Sequence, residues 1–327
     1  IGAGGSGCFI SRDLQESWKF AVYLKSFGVT LEDLKREGDG LAIRKISEGV
    51  HASQQVSAAV VLAMDGVIRE DGTLDREKSE IYIPNEFVAA EVAKYDNLYC
   101  GASINPYRPD ALERLRRAAN ADAVLIKWLP SVMHIDPADL RIIPFYKELV
   151  RLGLPLLCHT GDERSFIRSR DELCDPKRLE LPLSLGVTVI AAHIATTGTS
   201  EGEDNMARLI SMFPRYPTLY ADISSLTQIN KRGCLSRALQ HTGIHERLLY
   251  GTDFPLINTG LCTPMFHLFS IGPIQVFKLY RIQNSWDRDV KLKQALGVPE
   301  HVFSRPGHLL KIKSRQTVTS RIKQKPR

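Results

Sequence analysis

Four side chains suited to metal binding or acid–base chemistry stand where apolar, strand-like segments of the sequence end. They are Lys127 after VLI, His159 after LPLLC, His193 after VTVIAA and Asp253 after RLLYGT. Neutral imidazole nitrogens and carboxylate oxygens are the usual ligands of zinc, and a catalytic zinc keeps one coordination position open for water. If the fold gathers these strand ends, the residues could bind a divalent metal and activate a water molecule.

The segments that carry these residues belong to an alternation of strands and helices that begins at residue 57. Strands are predicted over 57–64, 97–104, 121–130, 154–158, 187–195, 218–225 and 247–255. Helices are predicted in the region 11–54 and over 87–95, 109–119, 137–152, 201–213 and 231–241. Strands that alternate with helices in this way predict an α/β fold with a parallel sheet.

Two architectures are compatible with seven parallel strands. A (β/α)8 TIM barrel needs one more strand, which would precede the helices of the region 11–54, and the chain begins at Ile1 without a methionine. We therefore expect a TIM barrel whose first strand lies upstream of Ile1 and is missing from this sequence. Such a barrel collects catalytic groups at the carboxyl ends of its strands. A doubly wound open sheet remains the alternative.

Three motifs resemble those of a known enzyme family. CHTGDE, AAHIATTG and LLYGTDFP are similar to the amidohydrolase-2 group of the metal-dependent amidohydrolase superfamily, whose members are TIM-barrel enzymes. IKWLPS and NSWDRDVKLKQALGVPEHVFSR also resemble this group, and GTDFP after a hydrophobic strand is the most specific element. The resemblance covers roughly residues 50–305. It implies a barrel domain over residues 1–310, followed by a tail over 311–327.

The resemblance also implies a role for each residue at a strand end. His159 would be a metal ligand, and His193 would bind the metal or polarise the substrate carbonyl. Asp253 would bind the metal and exchange protons with the nucleophilic water. Lys127 occupies the place of a lysine that some superfamily members carboxylate to bridge two metals. The expected cofactor is a divalent metal, with zinc as the first choice.

Residues next to these strand ends are further candidates. Glu163 and Arg164 follow His159 closely. They could orient the histidine or bind a carboxylate of the substrate, and a solvated loop is the alternative interpretation. Asp222, at the end of the strand over 218–225, could hold a metal-binding residue in position without binding the metal itself.

The sequence departs from the family at the first strand, which in the family ends in a His-x-His pair. The histidines of this chain are His51, His134, His159, His193, His241, His245, His267, His301 and His308, and no two are two positions apart. The pair would fall immediately upstream of Ile1. Either the sequence is a fragment, or the protein has a degraded metal site.

The implied reaction is hydrolysis of a carboxylic ester, lactone or amide by a metal-activated water. Asp253 would take the proton of that water, and His193 would stabilise the developing oxyanion. The same family group also carries out non-oxidative decarboxylation of aromatic or unsaturated carboxylic acids, which is the first alternative. A metal-free barrel with a binding role is the second, because the His-x-His pair is absent.

The composition is that of an ordinary soluble globular protein. The 327 residues are 43% hydrophobic and 24% charged, and no apolar run approaches the ~18 residues of a membrane span. Nothing at the start resembles a signal peptide. The six cysteines show no paired spacing, which predicts free thiols in a reducing, cytoplasmic compartment.

The basic residues are concentrated at the end of the chain. The net charge of +6 becomes −1 when the seven Lys and Arg of residues 311–327 are left out. A basic tail without aromatic residues is typical of a disordered, solvated end. We therefore expect no nucleic-acid or membrane partner, and a homodimer is compatible with the sequence.

The glycine run GAGGSG at residues 2–7 matches the pattern G-x-G-x-x-G. A dinucleotide site would need a strand before this run and a helix that opens at its end. Only Ile1 precedes the run. We therefore interpret it as a flexible loop after the first strand and assign no residue to a nucleotide cofactor.

Overall fold

The structure is a computed structural model that describes residues 5–312. Gly2 and Gly4 of the glycine run, and the part of the basic tail over residues 313–327, lie outside the described residues. The strands are β1 Phe9–Ile10, β2 Ala59–Leu62, β3 Ile81–Tyr82, β4 Leu98–Ala102, β5 Leu125–Trp128, β6 Leu156–His159, β7 Val189–Ala192, β8 Thr199–Ser200, β9 Glu203–Asp204, β10 Leu219–Asp222 and β11 Leu248–Leu249.

Helices connect the strands and also form the segment before β2. The α-helices are α1 Arg12–Glu16, α2 Trp18–Phe27, α3 Leu31–Glu37, α4 Gly40–His51, α5 Asn85–Val92, α6 Ala111–Asn120, α7 Pro130–Met133, α8 Ile143–Leu152, α9 Glu180–Ser184, α10 Asn205–Met212, α11 Cys234–Gln240, α12 Leu268–Ile271, α13 Pro273–Tyr280, α14 Ser285–Ala295 and α15 Glu300–Leu309. Short 3₁₀ helices follow several strand ends, among them His193–Ala195 after β7, Ile229–Lys231 after β10 and Leu256–Asn258 after β11.

The main sheet contains seven strands in the order β2, β4, β5, β6, β7, β10 and β11. Each strand of this sheet pairs in parallel with the main-sheet strand that follows it in the chain. A doubly wound sheet would reverse its strand order at a switch point, and this order does not reverse within the described residues. The structure therefore contradicts the open-sheet alternative and follows the strand order of a (β/α)8 barrel.

The two faces of the sheet carry different side chains because successive residues of a strand point to opposite sides. One face packs against the helices through the large core cluster, which includes Ile126, Leu156, Val189 and Leu219. The opposite face, inside the barrel, carries a second cluster made of Val60, Leu62, Leu125, Leu157, Ile190, Tyr220 and Leu249, together with Leu309, Leu310 and Ile312 from the end of the described chain. The barrel interior is thus filled with apolar side chains.

Polar residues continue the inner face at the carboxyl ends of the strands. Lys127 is in register with Leu157, and Leu157 is in register with Ile190. Residues two positions further along a strand point to the same side, so His159 on β6 and Asp222 on β10 also face inward. The strands therefore direct these polar side chains into one end of the barrel.

The observed elements are shorter than the sequence predicts where turns interrupt them. The predicted helix over 201–213 begins only at Asn205, because the hairpin of β8 and β9 occupies the preceding residues. Asp204 is the N-cap, and its side chain accepts a hydrogen bond from the N–H of Ala207 at 2.9 Å. None of the helices among residues 5–312 is long and apolar enough to cross a membrane.

Candidate active site

The loop after β6 begins with Thr160, Gly161 and Asp162 and packs against the loop after β7. Gly161 has a φ of +81°, and a Cβ on it would lie 2.6 Å from the carbonyl oxygen of Thr197. The hydroxyl of Thr160 donates to the carbonyl of Ala192 at 3.0 Å. Only glycine combines this left-handed backbone with so close an approach. The two loops therefore hold the ends of β6 and β7, and their histidines, side by side.

His159 is a buried imidazole with one nitrogen that has no partner. Its Nε2 is buried and has no hydrogen-bond partner among the described residues. The nearest acid is Glu163, whose Oε2 lies 3.5 Å from this nitrogen, while Oε1 of Glu163 accepts a hydrogen bond from the N–H of Ser165 at 2.6 Å. Burial lowers the pKa of His159 below its ordinary value. Burial thus favours the neutral imidazole of His159, which is the form that binds a metal.

His193 is held by the polar end of β10. Its backbone N–H donates to Oδ1 of Asp222 at 3.0 Å, and the N–H of Ser224 donates to the same oxygen at 2.9 Å. His193 has a φ of +56° and is followed by two more residues with positive φ, Ile194 and Ala195. Backbone of this kind costs free energy and persists where the surrounding contacts enforce it. The Asp222 carboxylate is the contact that fixes His193.

The hydrogen bonds around His193 also determine which ring nitrogen carries the proton. The Ser224 hydroxyl donates its hydrogen to Asp222 and therefore accepts from Nδ1 of His193, which lies 2.7 Å away. The carbonyl of Ser224, at 3.2 Å from Nδ1, is also an acceptor. Burial, together with the charge of Lys231, lowers the pKa of His193 well below its ordinary value. The Ser225 hydroxyl is a further neighbour of Nδ1, at 3.2 Å. The carbonyl and hydroxyl of Ser224 favour the neutral ring with its hydrogen on Nδ1, which leaves an electron pair on Nε2.

Asp253 lies beside the free nitrogen of His193. Its Oδ2 is 3.9 Å from Nε2 of His193, and its φ is +57°. Although 36% of the side chain is exposed, protein surrounds the carboxyl on most sides, and this burial raises the pKa of Asp253 to about 6. A carboxyl with a pKa near neutrality can take up and release a proton at physiological pH.

The three predicted strand-end residues are neighbours at one end of the barrel. The ring centroids of His159 and His193 are 5.3 Å apart, and Oδ2 of Asp253 lies 3.9 Å from Nε2 of His193. Their donor chemistry, two neutral imidazoles and a carboxylate, fits a divalent metal, and the unpartnered Nε2 of His159 supports this fit. Within residues 5–312, however, no group of three or more His, Cys, Asp or Glu side chains stands close enough to hold a metal ion.

Two buried lysines add positive charge to the same place. Lys127 is buried on the inner face of β5, and its ammonium forms no ion pair with any carboxylate of residues 5–312. Lys231 is also buried and donates to the hydroxyl of Ser225 at 2.5 Å. Burial lowers the pKa of Lys231, although the charge of Asp253 opposes this effect. Both ammonium groups stabilise the ionised form of Asp253.

Glu163 and Arg164, the two residues predicted to bind substrate, differ in their exposure to solvent. Glu163 is buried beside His159, as described above. The Arg164 side chain is 64% exposed, and its guanidinium lies 3.9 Å from the carboxylate of Asp162. Contact of either residue with a substrate stays a prediction.

Lys231 and the hydrogen bonds of Ser224 belong to the site but were not predicted from the sequence. Lys231 lies in a charged stretch, INKRG, which carries no motif. Only the 3₁₀ helix Ile229–Lys231 brings its ammonium back to Ser225. The signal that could have indicated Ser224 was the polar end DISS of its strand, next to Asp222.

Comparisons with known proteins bear on both fold and family. The family model described as amidohydrolase matches residues 48–271. An uncharacterised TIM-barrel protein from Bordetella bronchiseptica is 16% identical with a TM-score of 0.51, and the alignment covers 80% of this chain and 85% of that chain. A probable 2-pyrone-4,6-dicarboxylic acid hydrolase from Acinetobacter baumannii is 14% identical with a TM-score of 0.51, covering 83% of this chain and 89% of that chain.

A putative 2-pyrone-4,6-dicarboxylic acid hydrolase from Pseudomonas putida is similar to the same degree. It is 14% identical with a TM-score of 0.51, and the alignment covers 84% of this chain and 88% of that chain. At these identities the solved structures show the fold alone, and they confirm the predicted TIM barrel. No curated protein matches the chain significantly in sequence.

Proposed function

Because this chain belongs to the amidohydrolase family, we propose that it is a metal-dependent hydrolase that cleaves a carboxylic ester, lactone or amide. The observation that carries the proposal is the contact of His193 with Asp253, 3.9 Å apart, next to the unpartnered nitrogen of His159. Two neutral imidazoles beside a carboxyl of raised pKa are the groups needed to hold a metal and to move a proton.

In this proposal His159, His193 and Asp253 would each contribute a ligand to the metal, the two histidines through their imidazoles and Asp253 through its carboxylate. As placed among residues 5–312, the three side chains are not close enough to hold the ion by themselves, so they would have to move together on binding. Zinc is the ion we propose. When bound, a divalent metal lowers the pKa of a water molecule from its bulk value toward ~7 and supplies a nucleophile at neutral pH. The tautomer of His193 favours the role of ligand, because a neutral ring with its hydrogen on Nδ1 has no Nε2 proton to donate to a substrate carbonyl.

Asp253 is the proposed proton shuttle. Its pKa of about 6 lets the carboxylate accept a proton from the attacking water and pass it on to the leaving group. General acid–base catalysis is most efficient when the pKa of the group lies near the working pH. The positive charges of Lys127 and Lys231 stabilise the negative charge that develops on the substrate carbonyl oxygen.

The experiment that tests this function measures hydrolysis with and without metal. The purified protein would be assayed on dihydrocoumarin, phenyl acetate and acetanilide, then dialysed against a chelator, assayed again, and supplied with Zn²⁺. We expect hydrolysis of at least one compound, its loss after dialysis and its recovery with Zn²⁺. Hydrolysis that persists unchanged after the chelator would contradict the role of a metal.

A second candidate function is non-oxidative decarboxylation of an aromatic or unsaturated acid. The observation that favours it is the pair of buried ammonium groups, Lys127 and Lys231, in the same end of the barrel, since buried cations suit a carboxylate substrate. Release of carbon dioxide from benzoates with hydroxyl substituents, without hydrolysis of the ester and lactone panel, would establish this alternative in place of the hydrolase.

A further inference from the structure

Helix α2 lies between the two loops that carry the site. At its start, the ammonium of Lys19 donates to the carbonyl of Arg164 at 2.7 Å and to that of Phe166 at 3.1 Å, in the loop after β6. At its end, the carbonyl of Ser26 accepts a hydrogen bond from the side chain of Asn258, in the 3₁₀ helix after β11, at 2.8 Å. The helix thus connects the loop that follows His159 to the loop that follows Asp253.

An aromatic contact completes the second attachment. The ring of Phe27, the last residue of α2, meets the ring of Phe254 edge to face, with centroids 5.3 Å apart. Phe254 is the residue directly after Asp253, so the end of α2 lies against the backbone that carries the proposed proton shuttle. The position of α2 is fixed at both ends by contacts with the site's own loops.

Tyr23 occupies the middle of the face by which α2 makes these contacts. Lys19, Tyr23 and Phe27 are separated by four residues each, and residues four apart lie on the same side of a helix. Since Lys19 reaches one loop and Phe27 the other, Tyr23 faces the space between the loops.

The surroundings of the Tyr23 hydroxyl agree with this position. Burial raises the pKa of Tyr23, and the charges of Glu163 and Asp253 raise it further. A hydrogen bond with the Ser165 side chain lowers the same pKa. The phenol therefore remains protonated at neutral pH and is a hydrogen-bond donor. It stands among groups from both loops.

We propose that Tyr23 is a substrate-contacting residue, whose phenolic O–H donates a hydrogen bond to an oxygen of the bound ester, lactone or amide between Glu163 and Asp253. The inference rests on the proposed hydrolase function and adds a ligand contact to it. Tyr23 lies before residue 48, where the match to the family begins. The contact therefore comes from a segment that the family match does not cover.

The alternative to a substrate contact is a purely structural role, in which the ring of Tyr23 packs between the loops. Tyr23→Phe separates the two, because it keeps the ring and removes only the hydroxyl. Tyr280→Phe is the matched control: Tyr280 is exposed on α13, and its hydroxyl pairs with that of Thr263 at 2.8 Å, outside the candidate site.

The test compares wild type, Tyr23→Phe and Tyr280→Phe on dihydrocoumarin and phenyl acetate, with melting temperatures measured in parallel. We expect kcat/KM of Tyr23→Phe to fall about 10- to 100-fold, the range for removal of a neutral donor to the reacting group. The melting temperature should not change, and Tyr280→Phe should behave as wild type. Equal kcat/KM for Tyr23→Phe and wild type would overturn the inference.

Failure of the proposed function would be recognised separately. If wild type hydrolyses neither compound, binding of 3-(2-hydroxyphenyl)propionate, the acid formed from dihydrocoumarin, would be measured by calorimetry for wild type and Tyr23→Phe. Weaker binding by Tyr23→Phe would retain the Tyr23 contact without the hydrolase. Binding heats that do not differ between the two proteins would overturn the contact.

Discussion

Lys293 is a buried lysine whose replacement gives a sharp test of how the backbone before Asp253 is held. Its ammonium is fully buried and donates to the carboxylate of Asp289 at 2.7 Å and to the carbonyl of Gly251 at 2.9 Å. It also lies 4.9 Å from the ring centroid of Tyr250, whose hydroxyl donates to Asp289 at 3.0 Å. Through Gly251, Lys293 anchors the chain two residues before Asp253.

The size of the effect follows from what Lys293→Met leaves behind. Removal of one partner of a buried ion pair typically costs about 3–5 kcal/mol, because the other charge stays buried and uncompensated. The carbonyl of Gly251 also loses its partner, which adds about 1 kcal/mol. Since a typical protein has a free energy of unfolding of ~5–15 kcal/mol, Lys293→Met should lose about a quarter of it or more.

The assay is urea unfolding at neutral pH, followed by circular dichroism, for Lys293→Met, Lys293→Met/Asp289→Asn and a control, Lys291→Met. Lys291 is on the same helix but is only half-buried, so its replacement should change the free energy of unfolding by less than about 0.5 kcal/mol. The double variant should regain at least about 1 kcal/mol, because no unpaired charge remains. A loss below about 1 kcal/mol in Lys293→Met, or a double variant no more stable than the single one, would refute the reasoning.

Further predictions concern acid stability and the loop of His159. The side chains of Arg151 and Arg116 donate to Glu148 and lower the pKa of that carboxyl from 4.5 to about 2. The stability that the ionised carboxylate contributes is therefore present above its ordinary pKa and is lost as the pH falls toward 2. Between the ordinary pKa and pH 2, the free energy of unfolding of wild type should fall by about 1 kcal/mol more than that of Glu148→Gln. The difference is small because Arg151 is exposed to solvent. Free energies of unfolding that fall equally with pH in the two proteins would contradict this prediction. Gly161→Ala should cost about 2–4 kcal/mol in urea unfolding and lower hydrolysis, since it adds a clash with the carbonyl of Thr197 to the strain of positive φ. Gly186→Ala is the matched control, with a φ of +84° and nothing within 4 Å of the added Cβ; its cost should be limited to about 1 kcal/mol without loss of activity, and an equal effect of the two would contradict the clash.

The position of the site could be predicted from the sequence because strand ends are local features. His159 and His193 each end an apolar run, and parallel strands bring such ends to one edge of the sheet. Asp253 could be located in the same way. The order of the strands in the main sheet could be predicted as well, since each of its strands pairs with the main-sheet strand that follows it in the chain.

Contacts between distant segments could not be predicted in this way. Nothing in the sequence around Tyr23 or Lys231 indicates that these side chains reach the loops of the barrel, because their placement depends on how α2 and the segment after β10 pack. The proton position on His193 likewise depends on Ser224, thirty-one residues away. Tertiary packing supplies this information, and local patterns do not contain it.

The most direct test of the central claim is to measure turnover and bound metal side by side in Asp253→Asn and His159→Ala. Asparagine keeps an oxygen donor but cannot accept the proton, so Asp253→Asn should retain most of its metal and lose about 10²–10⁴-fold in kcat. His159→Ala deletes a ligand and should lose metal and turnover together, while the exposed Asp96→Asn should match wild type. Near-native turnover of Asp253→Asn, or full metal content in His159→Ala, would contradict the account.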